Sequence, residues 1–183
     1  FILSLLPVVA LSACPGSKIP ESEVQTFLSE HNKLRSSISN GQYEAKGKTM
    51  PRAKTPIPNL TWDCDLEASA QKWADNCQFQ HTAFDGDHGE NLFKSWSSEP
   101  AKLEGNAKAA CDNWEGEFQE KGFPAPKMSD YLSPGIGHAT QMAWAKTTKI
   151  GCGMTKCGGD KEVLVVCQYR APGNYRNEPV YDA

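Results

Sequence analysis

At 183 residues the chain is sized for one domain, since single domains run to about 100–200 residues and two would leave each too little core. Hydrophobic residues make up 39% and charged residues 22%, which excludes an intrinsically disordered chain and a protein embedded throughout in a membrane. The formal net charge of −3 gives no basic footprint for nucleic acid.

Residues 1–13, FILSLLPVVALSA, are almost wholly apolar and end in small residues, as the apolar region and cleavage site of a secretory signal do. The run falls short of the ~20 apolar residues that span a bilayer, and it has neither an initiator methionine nor a basic start. We expect part of a signal peptide over 1–13, a mature chain of residues 14–183 forming a single domain, and export from the cell. A buried N-terminal helix is the competing reading, but Pro7 interrupts the run and no polar face is present.

The first helix is marked by Ser22 and Gln25, spaced as a capping box, and by Val24, Phe27, Leu28, His31, Leu34 and Ile38 on one stripe. Asn40-Gly41 ends it, and the glycine-, proline- and lysine-rich stretch from Gly41 to Pro58 reads as a surface loop. A second helix is expected over Asp63–Cys77, with Leu66, Ala70, Trp73, Ala74 and Cys77 facing inward. A short strand follows at Glu90–Phe93. A third helix is expected over Ala101–Lys121, burying Ala107, Ala110, Trp114 and Phe118, with Gly122 as its stop. A short fourth helix starts near His138. Beyond it, Ile150, Cys152 and Met154 alternate with smaller residues, Lys156–Lys161 supplies a glycine turn, and Val163–Val166 is a β-branched run, together a hairpin. This order of elements implies an α+β layered domain with helices on both faces of a small antiparallel sheet.

Seven cysteines, at 14, 64, 77, 111, 152, 157 and 167, agree with an oxidising compartment. Seven is odd, so one thiol stays free or finds a partner beyond Ala183. Cys152 and Cys157 lie close, but no second pair follows at regular spacing, so structural disulfides outrank a cysteine zinc site. The triplet Asn59-Leu60-Thr61 is the single N-glycosylation motif and fits a surface loop.

Four stretches, HNKLR (His31–Arg35), GENL (Gly89–Leu92), GHATQMAW (Gly137–Trp144) and LVVCQYRAPGNY (Leu164–Tyr175), together resemble the CAP superfamily. That family includes plant pathogenesis-related proteins, insect venom allergens and mammalian cysteine-rich secretory proteins. The texture of CQFQHT, GHATQMAW and IGCGMTKC is most similar to the venom-allergen-like, activation-associated secreted proteins of parasitic nematodes. The resemblance implies an α-β-α sandwich with a three-stranded antiparallel sheet between helical layers, braced by disulfides. It implies Cys152–Cys167 and Cys77–Cys157 pairs, which leaves Cys14, Cys64 and Cys111 with one bond and one odd thiol. Ala139 stands where many relatives carry Tyr or Phe after the motif histidine. Many nematode members also continue into a cysteine-containing tail, whereas this chain stops at Asp182-Ala183.

Carried over motif by motif, the resemblance brings His81, Glu90, Glu117 and His138 into one cleft. Glu117 is preferred to Glu115 because the family pattern and the i+3 spacing both set it beside Trp114. Neutral imidazoles are good ligands for zinc or another divalent cation, and carboxylates can join them or orient the rings. The same groups could serve as acid and base, or form a hydrogen-bonded cluster that fixes packing. Ser133 lacks the surroundings of a nucleophile and reads as a turn residue beside Pro134. His31 reads as a satisfied core histidine, with Asn32 and Arg35 bracing neighbouring loops, and His88 as a solvent-exposed loop residue. Relatives that bind sterols use an aromatic loop before the GH motif, and others hold a fatty acid between helices. Here Phe123, Met128 and Tyr131 either build such a groove or tuck onto the core. The expected function is that of a secreted binding protein in host–parasite interaction or immune modulation, with an unidentified host protein as partner. A metal-assisted hydrolase on the same four residues is the alternative. A cation would not be required for folding.

Overall fold

In the computed structural model, which describes residues 14–83 and 85–183, α1 covers Glu21–Ser39 and buries Val24, Phe27, Leu28, His31, Leu34 and Ile38, the stripe read from periodicity. The signal expected over 1–13 lies outside the described residues. The capping box does not form. Proline fixes φ near the helical value, and Pro20, with φ −59°, serves as the N-cap while its carbonyl accepts from Glu23 N and Val24 N. Ser22 therefore sits inside the first turn. Glu23 is buried and caps a different helix, accepting from Gly105 N at 2.9 Å and Ala107 N at 2.7 Å.

The expected loop over 41–58 contains a small hairpin, β1 (Glu44–Ala45) and β2 (Lys48–Thr49), whose turn residues Lys46 and Gly47 both have positive φ. After β3 (Thr61–Trp62), α2 spans Cys64–Ala74, started by Asp63, whose side chain accepts from Asp65 N and Leu66 N. Helix α2 ends before Cys77, which is exposed with φ 54°, so Cys77 does not face inward as expected. Strand β4 covers Gly89–Trp96, beyond the expected 90–93. Helix α3 spans Asn106–Lys121 and starts later than Ala101, because Ala101 N is bonded to Asp160 O and Gly105 is left-handed. Helix α4 is Gly137–Ala143, and β5 (Lys149–Cys157) and β6 (Glu162–Arg170) form the hairpin.

The larger sheet runs β3-β5-β6-β4. β4, β5 and β6 are antiparallel, as expected, and the added strand β3 pairs parallel with β5, which makes the sheet mixed. Alternation along β6 divides the core. Val163, Val165, Cys167 and Tyr169 join α1, α3 and α4 in the main cluster, while Leu164 and Val166 meet Ala70 and Ala74 of α2 on the other face. The helical layers therefore sandwich the sheet.

Among the described residues the disulfides are Cys14–Cys64, Cys77–Cys157 and Cys152–Cys167, the last joining directly opposed residues of β5 and β6. The odd cysteine is Cys111, fully buried on α3, its thiol pushed well up by burial. Among the described residues no helix is long and apolar enough to cross a membrane.

Candidate functional site

Beneath the site lies a buried hydrogen-bond chain. His31 Nδ1 is 2.7 Å from Phe27 O, a group that can only accept, so the proton sits on Nδ1, and Nε2 accepts from the Tyr169 hydroxyl at 2.9 Å. Asn91 Nδ2 donates both to the Tyr169 oxygen and to His138 O, each at 3.2 Å. Each of the four motif stretches contributes one member. The core reading of His31 holds. Asn32 accepts from Leu60 N and donates to Leu60 O, and Arg35 donates to four carbonyls, the bracing expected of both.

Burial, helped by the charge of Arg35 and only partly offset by the bond to Phe27, pushes the His31 imidazole down to about 3. An unfolded chain takes a proton on this ring near ~6.5 and the folded one does not. Stability linked to His31 is thus fully present above ~6.5 and is lost as pH falls toward about 3, by up to ~1.4 kcal/mol per pH unit. Carboxylates held low, such as Asp63 and Asp75, act mainly below ~4.5. Urea midpoints at about pH 7 and about pH 5 should therefore differ more for the parent than for His31→Gln. Equal differences would show that His31 is not the group responsible.

Above this chain opens a cleft of about 210 Å³ lined by His81, Glu90, Glu117 and His138, with Leu132 and Asn174 at its rim. Helix α3 is locked to β4 where the Trp114 indole N–H donates to Leu92 O at 2.9 Å, and the Trp114 ring stacks on that of His138, with centroids 6.3 Å apart. One turn along, Glu117 Oε1 meets His138 Nδ1 at 2.6 Å, while Oε2 accepts from His138 N and Ala139 N at the start of α4. Glu115 lies elsewhere, beside Tyr43 and Glu30, where burial and the nearby acidic groups push its carboxyl up.

On the other wall Glu90 Oε1 accepts from His81 Nδ1 and Thr82 N, both at 2.9 Å. Its Oε2 accepts from Thr82 Oγ1 and Gln168 Nε2. Burial raises the Glu90 carboxyl, but these donors outweigh it and hold the group below its ordinary range. The expectation for His88 is corrected: its side chain is only 10% exposed, because Nε2 reaches Thr82 Oγ1 and Nδ1 pairs with Asp85.

Each cleft histidine thus has Nδ1 on a carboxylate, and among the described residues neither Nε2 makes a hydrogen bond. Glu90 accepts four hydrogen bonds and Glu117 three. Both orient the rings they hold. Among the described residues no group of three or more His, Cys, Asp or Glu side chains is arranged to hold an ion. A cation that fits this site would take two imidazole nitrogens and complete its shell with water or a ligand atom.

Sequence reasoning missed Thr82, Gln168 and Asn174. Thr82 follows His81 directly and Gln168 opposes Glu90 across the strand pair, but neither carried a signal of its own. Asn174 sits at positive φ, which asparagine tolerates, and donates to Gly137 O at 2.8 Å while accepting from Thr140 Oγ1. Of the loop aromatics, Phe123 packs on Phe118 and Tyr181, and Tyr131 is buried with its hydroxyl bonded to Glu178 O. Met128 also packs against the core. Ser133 lies in an exposed turn, its N–H bonded to Asp130.

A mixed sheet between helical layers, carrying two histidine–carboxylate pairs in an open cleft, defines the class of protein, and sequence comparison places it. The model of the CAP, or cysteine-rich secretory protein, family matches residues 28–169, and the chain belongs to that family. It is 36% identical over 179 residues to the Ancylostoma secreted protein of Ancylostoma caninum, covering 92% of this chain and 41% of that relative, so it spans less than half of that protein's length. It is 32% identical to venom allergen 3 of Solenopsis invicta, covering 88% of this chain and 73% of that one. Among solved structures, BmVAL-1 superposes with a TM-score of 0.86 at 35% identity, covering 93% of this chain and 86% of its own. NaASP2, crystallised with Zn2+, superposes with a TM-score of 0.85 at 35% identity over 93% of this chain and 90% of its own.

Proposed function

We propose that the chain is a secreted CAP-domain binding protein of a parasitic nematode, acting in host–parasite interaction or immune modulation, and that its cleft holds a divalent cation such as zinc on His81 and His138. The observation that carries the reading is the Nδ1 anchoring of both rings on Glu90 and Glu117, which fixes the tautomer that leaves Nε2 as the ligating nitrogen. The Zn2+ in NaASP2 crystals and the likeness to the Ancylostoma protein support it. Binding is favoured over a metal-assisted hydrolase because among the described residues no set of three or more ligating side chains is gathered to hold an ion that would activate water. A sterol or fatty-acid groove built on Phe123, Met128 and Tyr131 is not favoured, since these side chains pack on the chain's own core.

Calorimetry with zinc tests the cation site. His81→Ala/His138→Ala should keep the parent's far-ultraviolet dichroism, because disulfides and core hold the fold, and should lose the binding heat. Glu90→Gln and Glu117→Gln should weaken binding by about 10–100-fold. Undiminished zinc binding by the double variant would place the cation elsewhere.

A further inference from the structure

We propose that Asn59 carries an N-linked glycan. Asn59-Leu60-Thr61 is the only such triplet in the chain, and its middle residue is not proline. The structure presents Asn59 in a way that the motif alone could not. Pro58 O accepts from Arg35 Nε at 2.6 Å, Leu60 N donates to Asn32 Oδ1 at 2.7 Å, and Leu60 O accepts from Asn32 Nδ2 at 3.2 Å. The backbone on both sides is thus pinned to α1, and Leu60 is buried while Asn59 and Thr61 are exposed. Among the described residues the Asn59 amide makes no hydrogen bond, so replacing its outer hydrogen with a sugar breaks no internal contact.

In the attachment step a bond forms between Asn59 Nδ2 and the anomeric carbon of an oligosaccharide carried on a polyprenyl diphosphate. The bond from that carbon to the diphosphate breaks, the diphosphate leaves with the electron pair, and the amide gives up one proton. This takes place in the compartment where disulfides form, so the inference rests on the secreted reading.

Asn59 leads into β3, one edge of the sheet, and Glu90 stands on β4, the other edge, with β5 and β6 between. At ~4.8 Å per strand step the two edges are ~14 Å apart, so the attachment point is not itself part of the His–Glu cleft.

The test is secretion of the full chain from cultured eukaryotic cells, followed by intact mass before and after peptide N-glycosidase. The parent and Thr61→Ser, which keeps the motif, should carry a mass that the enzyme removes. Asn59→Gln and Thr61→Ala should carry none, and enzymatic release in heavy-oxygen water should label position 59. A secreted parent with its disulfides formed and no removable mass overturns the inference while leaving the secreted reading intact, and so does a glycan that persists in both Asn59→Gln and Thr61→Ala.

Discussion

Arg35→Met is expected to cost roughly 4 kcal/mol or more, a large part of the ~5–15 kcal/mol that holds a domain of this size together. The guanidinium is fully buried on α1. It donates to Pro58 O at 2.6 Å, Met142 O at 2.9 Å, Trp144 O at 3.0 Å and Thr147 O at 2.8 Å. Burial lowers its pKa to about 10, which still leaves it charged at neutral pH. Methionine fills similar space but donates nothing, so the carbonyl of Pro58 and three buried carbonyls within residues 142–147 lose a partner, at about 1–3 kcal/mol for each buried one left unsatisfied. Lysine would keep the charge without the planar fork, and Arg35→Lys should fall between. Urea midpoints of secreted protein give the measurement, and an Arg35→Met midpoint equal to that of the parent would refute the account.

Gly153→Ala is the second large effect. A Cβ there would lie 2.3 Å from Gln71 Cα and 2.4 Å from Gln71 N, and one on Gly151 would lie 2.2 Å from Glu67 N. These are backbone atoms of α2, so only movement of the helix could relieve the clash. The helix is held where it is. Gln71 Oε1 accepts from Met154 N, its Nε2 donates to Met154 O, and disulfides tie Cys64 and Cys77 at its two ends. Neither glycine has positive φ, so the need is for space and not for backbone freedom. The expected loss is at or above the ~1–3 kcal/mol usual for overpacking, larger than for an alanine at Gly116, where a Cβ meets nothing. Thermal melts of Gly153→Ala and Gly116→Ala side by side would decide it, and equal midpoints would defeat the reading.

Local patterns were legible where a single element's own periodicity decides burial. The α1 stripe, the β5–β6 hairpin and the inward face of α3 follow from side-chain spacing of 3.6 or 2, which needs no partner to be read. Element ends were less legible. Pro20 displaced the Ser22 cap, and Ala101 was held by Asp160 from another part of the chain.

The candidate site residues came from motif resemblance, and spacing alone would not have chosen Glu117 over Glu115. What joins His31, Asn91, His138 and Tyr169 is a set of hydrogen bonds spanning up to 138 residues of sequence. Residue types at single positions carry no record of such distant partners. By itself the sequence determined the layered α+β class, the family and the four cleft residues. Only the tertiary structure decided that the two carboxylates accept from His81, Thr82, Gln168, His138 and Ala139, and so fix the two rings through Nδ1. It also decided that Cys111 is the odd thiol and that β3 joins the sheet in parallel. The reason is physical: each of these outcomes depends on which groups from separate segments meet once water is excluded, and that is settled by packing.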